Sequence, residues 1–174
     1  MTNTEDREIH HIWNRLVQWL HDNAPASAAA LRPSAAAEEI VAAEQAIGVP
    51  FPAALRTWLM LNNGVQVADG RLDRAPVRDG CFLLDGYHPL STALIPHVYQ
   101  RMMPTPGDVN SYRSWWNPRW IPFAADDWSY GFFIDTGNDT IGEWGDYGYL
   151  VTGAFPSLAA FFEYALADLR TRST

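Results

Sequence analysis

The chain has 174 residues, 48% of them hydrophobic, 13% aromatic and 18% charged. That composition buries enough apolar surface to fold as one domain over 1–174, and it excludes an intrinsically disordered chain. The net charge of −8, from 20 acids and 12 bases, repels phosphates and argues against a nucleic-acid partner.

Along the chain, Ile9, Ile12, Trp13, Leu16, Trp19 and Leu20 recur at helical spacing and predict a first helix over 9–20. The stretch 22–33 holds two prolines and an alanine run, and reads as a loop. Ser34 as N-cap predicts a second helix with Ile40, Ala43 and Ile47 on its buried face, ending at Gly48. A third helix begins around Phe51 and Pro52, carries Leu55, Trp58, Leu59 and Leu61, and closes at Asn62, Asn63 and Gly64.

Beyond Gly64 the texture changes to short apolar runs separated by Gly, Asp, Asn and Pro. Strands are predicted over 81–84, 120–124, 131–135, 140–144 and 149–152, with a hairpin turn at 136–139. Between them, 89–117 contains Pro96, Pro104, Pro106 and Gly107, which predicts a helical turn followed by a long exposed loop. Leu158, Phe161, Phe162, Ala165 and Leu169 give a closing amphipathic helix. Grouped in this order, the elements predict an α+β fold: a mostly antiparallel sheet with helices packed mainly on one face.

No apolar run approaches the roughly 18 to 20 residues that span a bilayer, and the first eight residues are polar and acidic, so no membrane partner is expected. The lone cysteine, Cys81, suits a reducing compartment, and the cytoplasm is the expected location. Every base is an arginine, which removes lysine-dependent mechanisms.

Glycine-rich nucleotide loops, HExxH, GxSxG and paired-cysteine motifs are all absent from the sequence. Cys81 heads an apolar run, where a thiol more often serves as a small hydrophobe than as a nucleophile. His10 and His21 lie eleven residues apart, too far for a two-histidine zinc pair on one helix. Asp135 and Asp139 invite a paired-carboxylate reading but fit an ordinary Asx-rich turn equally well. No cofactor, metal site or catalytic residue is therefore assigned.

Charge is unevenly placed. Residues 120–169 contain no Arg or Lys and eight acids: Asp126, Asp127, Asp135, Asp139, Glu143, Asp146, Glu163 and Asp168. This stretch either keeps an aromatic-rich protein soluble or attracts a basic partner. Among the tryptophans, Trp13, Trp19, Trp58 and Trp120 sit on apolar faces. Trp115, Trp116, Trp128 and Trp144 lie beside loops and acids, as interface anchors or as caps on the sheet edge.

Two strings carry a family likeness. Ile47, Gly48, Val49, Pro50, Phe51, Pro52, Leu55, Trp58, Leu59, Asn62, Asn63 and Gly64 form the first. Trp120, Ile121, Pro122, Phe123, Ala124, Ala125, Asp126, Gly131, Ile134 and Asp135 form the second. Their order resembles the SMI1/KNR4 family, also called the SUKH superfamily, over roughly 9–169. Phe51 stands where that family usually has Leu, and the 113–118 stretch with its Trp pair is an elaboration.

The resemblance implies a non-enzymatic α+β domain, used in bacteria mainly as an immunity protein that neutralises a cognate toxin. Fungal members act instead as regulatory scaffolds. Combined with the charge distribution, it leads to a basic toxin domain as the expected partner. The expected contact residues are Asp126, Asp127, Trp128, Asp135, Asp139, Glu143, Trp144 and Asp146. A regulatory scaffold or small-ligand module is the alternative, and an enzyme using Asp135 and Asp139 a third.

Overall fold

A computed structural model of the chain describes residues 3–66, 80–104, 115–126 and 129–172. It is α+β. Helices α1 (Thr4–Asn23), α2 (Pro25–Ala30), α3 (Ala37–Ile47) and α4 (Ala53–Leu59) precede strand β1 (His88–Pro89) and helix α5 (Leu94–Met102). Strands β2 (Trp120–Ala125), β3 (Gly131–Asp135), β4 (Ile141–Trp144) and β5 (Leu150–Phe155) then lead into α6 (Leu158–Arg172). The strands pair antiparallel throughout, in sequence order.

The apolar stripe of α1 is its buried face: Ile9, Ile12, Trp13, Leu16 and Leu20 all pack inward. They meet α4 and α6 in a nest of rings, where the Trp58 ring centroid lies 5.5 Å from Trp13 and 5.0 Å from Phe162. Phe123 and Phe132 bring the sheet into this nest through Phe161, at 5.2 Å and 4.9 Å. Edge and tilted contacts of this kind add to the area buried by each ring.

The opposite sheet face is also covered, by aromatic side chains. Trp116 packs on Trp120, Phe133 and Trp144 with centroids 5.5 to 5.6 Å away, and Trp120 stacks on Phe133 at 4.5 Å. Two glycines make room for these rings. A Cβ on Gly131 would stand 2.3 Å from Trp144 Cη2, and one on Gly142 would stand 2.2 Å from Phe133 Cζ.

Several local expectations give way to packing and backbone geometry. The 22–33 loop contains α2, begun by Pro25 in the first turn, where a missing N–H costs nothing. Ser34 does not cap α3; that helix starts at Ala37, and the Glu39 carboxylate reaches back to accept from Ala36 N at 2.8 Å. The predicted strand at 81–84 is replaced by a 3-10 turn over Leu84–Gly86, with Gly86 at φ +86°, and the edge pairing passes to His88–Pro89. The helical turn after Pro89 is a nine-residue helix whose Pro96 falls in its first turn. Trp115 and Trp116 pack against the core and are not part of an exposed loop. The intervening 105–114 lies outside the described residues.

Candidate partner-binding site

Antiparallel register decides which of the acidic residues are neighbours. Ala125 pairs with Gly131 and Gly131 with Trp144, so the 126–130 loop and the 145–149 turn emerge at the same end of the sheet. Trp120 pairs with Asp135, which puts the 136–139 turn at the other end, about 13 Å away along β3. The six described among the eight expected contact residues therefore do not share one surface.

At the first end, Asp126 closes the hairpin. Its backbone N donates to Tyr130 O at 3.1 Å, and its Oδ1 accepts from Tyr130 N at 3.0 Å. Across from it, Gly145 N donates to Tyr149 O at 2.9 Å. A Cβ at Gly145 would stand 2.9 Å from Tyr130 Cδ1 and 3.2 Å from Tyr149 Cδ1, so the missing side chain lets two rings converge over the backbone. Tyr130, Tyr147 and Tyr149 are 38%, 100% and 51% exposed. Tyr147 sits at φ 59°, ψ 28°, a left-handed conformation that a residue with a Cβ adopts only at a cost.

The electrostatics of this end are acidic. Burial, then the nearby Asp146 and Asp126 carboxylates, raise the Tyr130 phenol above its ordinary value, and a hydrogen bond to Asp146 adds to the effect. Burial, followed by Asp126, pushes the Cys81 thiol up to about 11. Cys81 is thus held as a thiol at neutral pH, which suppresses nucleophilic chemistry there. Asp127 and Trp128 lie outside the described residues.

At the opposite end the Asp135 carboxylate serves the fold, whereas the exposed Asp139 contributes its backbone. Asp135, 9% exposed, accepts from Trp120 Nε1 at 3.2 Å and from Gly137 N at 2.8 Å, with Arg119 3.7 Å away. Asp139 takes the left-handed position of the turn at φ 60° and donates its N–H to Asp135 O at 2.7 Å. It also faces α1: burial raises the Glu5 carboxyl, and Asp139, Asp6 and Glu8 raise it further.

Two expected contact residues are corrected by burial. Trp144, 1% exposed, is wedged against Gly131 and Trp116, so it anchors the core. Asp135 is consumed by the hairpin it clamps. Glu143 lies on the helix-facing side of β4, opposite Phe132 and Val151, at the mouth of a cleft beside β5. Asp126 and Asp146 remain at the tyrosine end. Tyr130, Tyr147 and Tyr149 are not among the expected contact residues; their signal in the sequence is the run Asp146, Tyr147, Gly148, Tyr149, in which glycine-flanked rings sit on a turn.

The two family strings acquire physical roles from these contacts. Gly64, at φ +74°, brings the chain so close to the segment after β1 that a Cβ would meet Ser91 N at 2.7 Å. Beside it Asn63 Oδ1 accepts from Thr92 N at 2.8 Å, and Asn62 Nδ2 donates to Arg32 O at 2.8 Å. The second string is the β2–β3 hairpin, with Pro122 beside a register shift, where a central strand tolerates a missing donor.

The profile described as SMI1 / KNR4 family (SUKH-1) matches residues 34–164. The chain belongs to this family. A search of curated proteins found no match. In this SUKH domain both strings act as clasps: Asn63 and Gly64 hold the helical half to Ser91 and Thr92 after β1, and Asp135 joins β3 to β2 through Trp120 and clamps the turn that follows. Among the described residues, no group of three or more His, Cys, Asp or Glu side chains is placed to hold a metal ion. No helix among them is long and apolar enough to cross a membrane.

Proposed function

We propose that this SUKH domain is a cytoplasmic, non-enzymatic immunity protein that occupies the working surface of a basic cognate toxin domain. Its contact surface is the tyrosine end of the sheet, formed by Asp126, Tyr130, Asp146, Tyr147 and Tyr149. The observation that carries this reading is Tyr147, a fully exposed ring held in a strained backbone conformation between acidic groups. Strain at an exposed aromatic has no folding benefit, and it is the kind of feature that binding sites retain.

The division of labour follows from the chemistry. Carboxylates speed the encounter with a basic surface, and aromatic rings slow the release once they are desolvated. Tyrosine suits this task because it offers a rigid apolar body and one hydroxyl with few torsions to freeze.

The test is the association of the full chain with the toxin domain encoded beside its gene. Association slows as salt is added and slows again in Asp126→Lys with Asp146→Lys, while Tyr147→Ala speeds dissociation. Rates indifferent to salt and to all three substitutions overturn the proposal, as does the absence of any adjacent toxin gene together with turnover of a small substrate.

A further inference from the structure

Two of the exposed tyrosines are drawn together by one missing side chain. Tyr130 lies just ahead of β3 and Tyr149 just ahead of β5, the two strands that flank β4, so their rings reach Gly145 at the end of β4 from opposite sides. A Cβ on Gly145 would stand 2.9 Å from both Cδ1 and Cε1 of Tyr130, with Tyr149 Cδ1 3.2 Å away. Gly145 is buried beneath these rings, whereas Tyr130 and Tyr149 remain exposed. The result is a small aromatic platform at the tip of the sheet.

A carboxylate stands at its edge. Asp146 is exposed and shares a hydrogen bond with the Tyr130 hydroxyl, and the Tyr147 phenol is near enough to act on the same hydroxyl. A phenol donor leaves the charge of a carboxylate in place. No described arginine forms an ion pair with Asp146; Arg15, Arg56, Arg119 and Arg172 are paired with other acids.

We propose that this platform receives one arginine side chain of the protein partner, its guanidinium lying on the Tyr130 and Tyr149 rings and its N–H groups donating to Asp146. The proposal deepens the reading of this end as the contact surface and rests on it. Tyrosine rings attract a cation placed over them, and Tyr147 supplies a third ring within the same turn. A guanidinium is planar and weakly hydrated, so it stacks on a ring while the donors along its edge stay free for a carboxylate. The ammonium of a lysine is strongly hydrated and has no plane to stack. An apolar side chain would desolvate Asp146 and the phenol hydroxyls without replacing their water, and an acidic one would meet the Asp146 charge.

The probe is the peptide Gly-Ser-Arg-Ser-Gly, blocked at both ends and titrated into the ¹⁵N-labelled full chain. Two controls replace its arginine by lysine, or by citrulline, which keeps the planar shape and lacks the charge. The Arg peptide is expected to shift the amide signals of Tyr130 and of 145–149, and both controls should bind at least about threefold more weakly. Asp146→Asn and Tyr149→Ala, both at exposed positions, should each weaken the Arg peptide by about threefold, and so should Gly145→Ala, whose added Cβ parts the rings. Equal binding by the three peptides, shifts that bypass this end, indifference to the variants, or no shifts up to the solubility limit overturn the proposal. Peptide binding by a chain that ignores the adjacent toxin keeps the arginine platform and removes the immunity reading; toxin binding without peptide shifts does the reverse.

Discussion

The two ends of the central sheet hold the same kinds of residue and use them in opposite ways. At one end Asp135 is ringed by donors from Trp120, Gly137 and Arg119, so its charge is consumed by the fold. At the other, Tyr130, Tyr147 and Tyr149 stand open to solvent beside Asp126 and Asp146. A carboxylate or a ring is structural where the backbone directs partners toward it. It is available for recognition where a turn carries it past the last strand.

The comparison breaks most visibly at Trp144. If it is core, Trp144→Ala destabilises the fold by about 3–5 kcal/mol in chemical denaturation; a change under 1 kcal/mol would return this ring to the surface. Next comes the pair of aspartates. Asp135→Ala orphans Trp120 Nε1 and Gly137 N and is expected to cost about 1–3 kcal/mol. Asp146→Ala, on the exposed turn, is expected to stay within about 0.5 kcal/mol. Equal effects would erase the distinction between the ends.

Tyr147→Gly sharpens the contrast. Relief of the left-handed strain is expected to raise stability by about 0.5–1 kcal/mol while weakening partner binding, a trade characteristic of recognition residues. Thermal denaturation and binding measured on the same preparation check both halves.

The smallest effect concerns pH. Cys81 holds its proton more tightly folded, at about 11, than unfolded, near the ordinary 9.0, because of burial and then Asp126. Its contribution is therefore complete below pH 9, and stability declines as pH rises from 9 to 11. The decline is smaller in Cys81→Ala, and what remains comes from the Tyr99 and Tyr130 phenols, which are also raised. Asp126→Asn should lower the thiol's titration in the folded protein, which ties it to the tyrosine end.

Much of the fold was legible because periodicity and turn chemistry are local. The α1 stripe, the Gly48 cap and the β3 boundaries follow from residues within a few positions of one another. The edge strand was misplaced at 81–84 because its pairing with β2 crosses more than thirty residues, and apolar character alone does not say which segment wins that contact. The site was only half legible for the same reason. Six acids between 126 and 146 were expected on one surface, but an antiparallel strand sends its two ends to opposite poles.

The amino-acid sequence by itself determined the fold class, the family strings and the sign of the field, since each depends on residue type and short spacing. Only the tertiary structure decided which aspartates are clasps and which rings are core. Those properties belong to register and burial, and they arise when segments remote in the chain compete for the same partners.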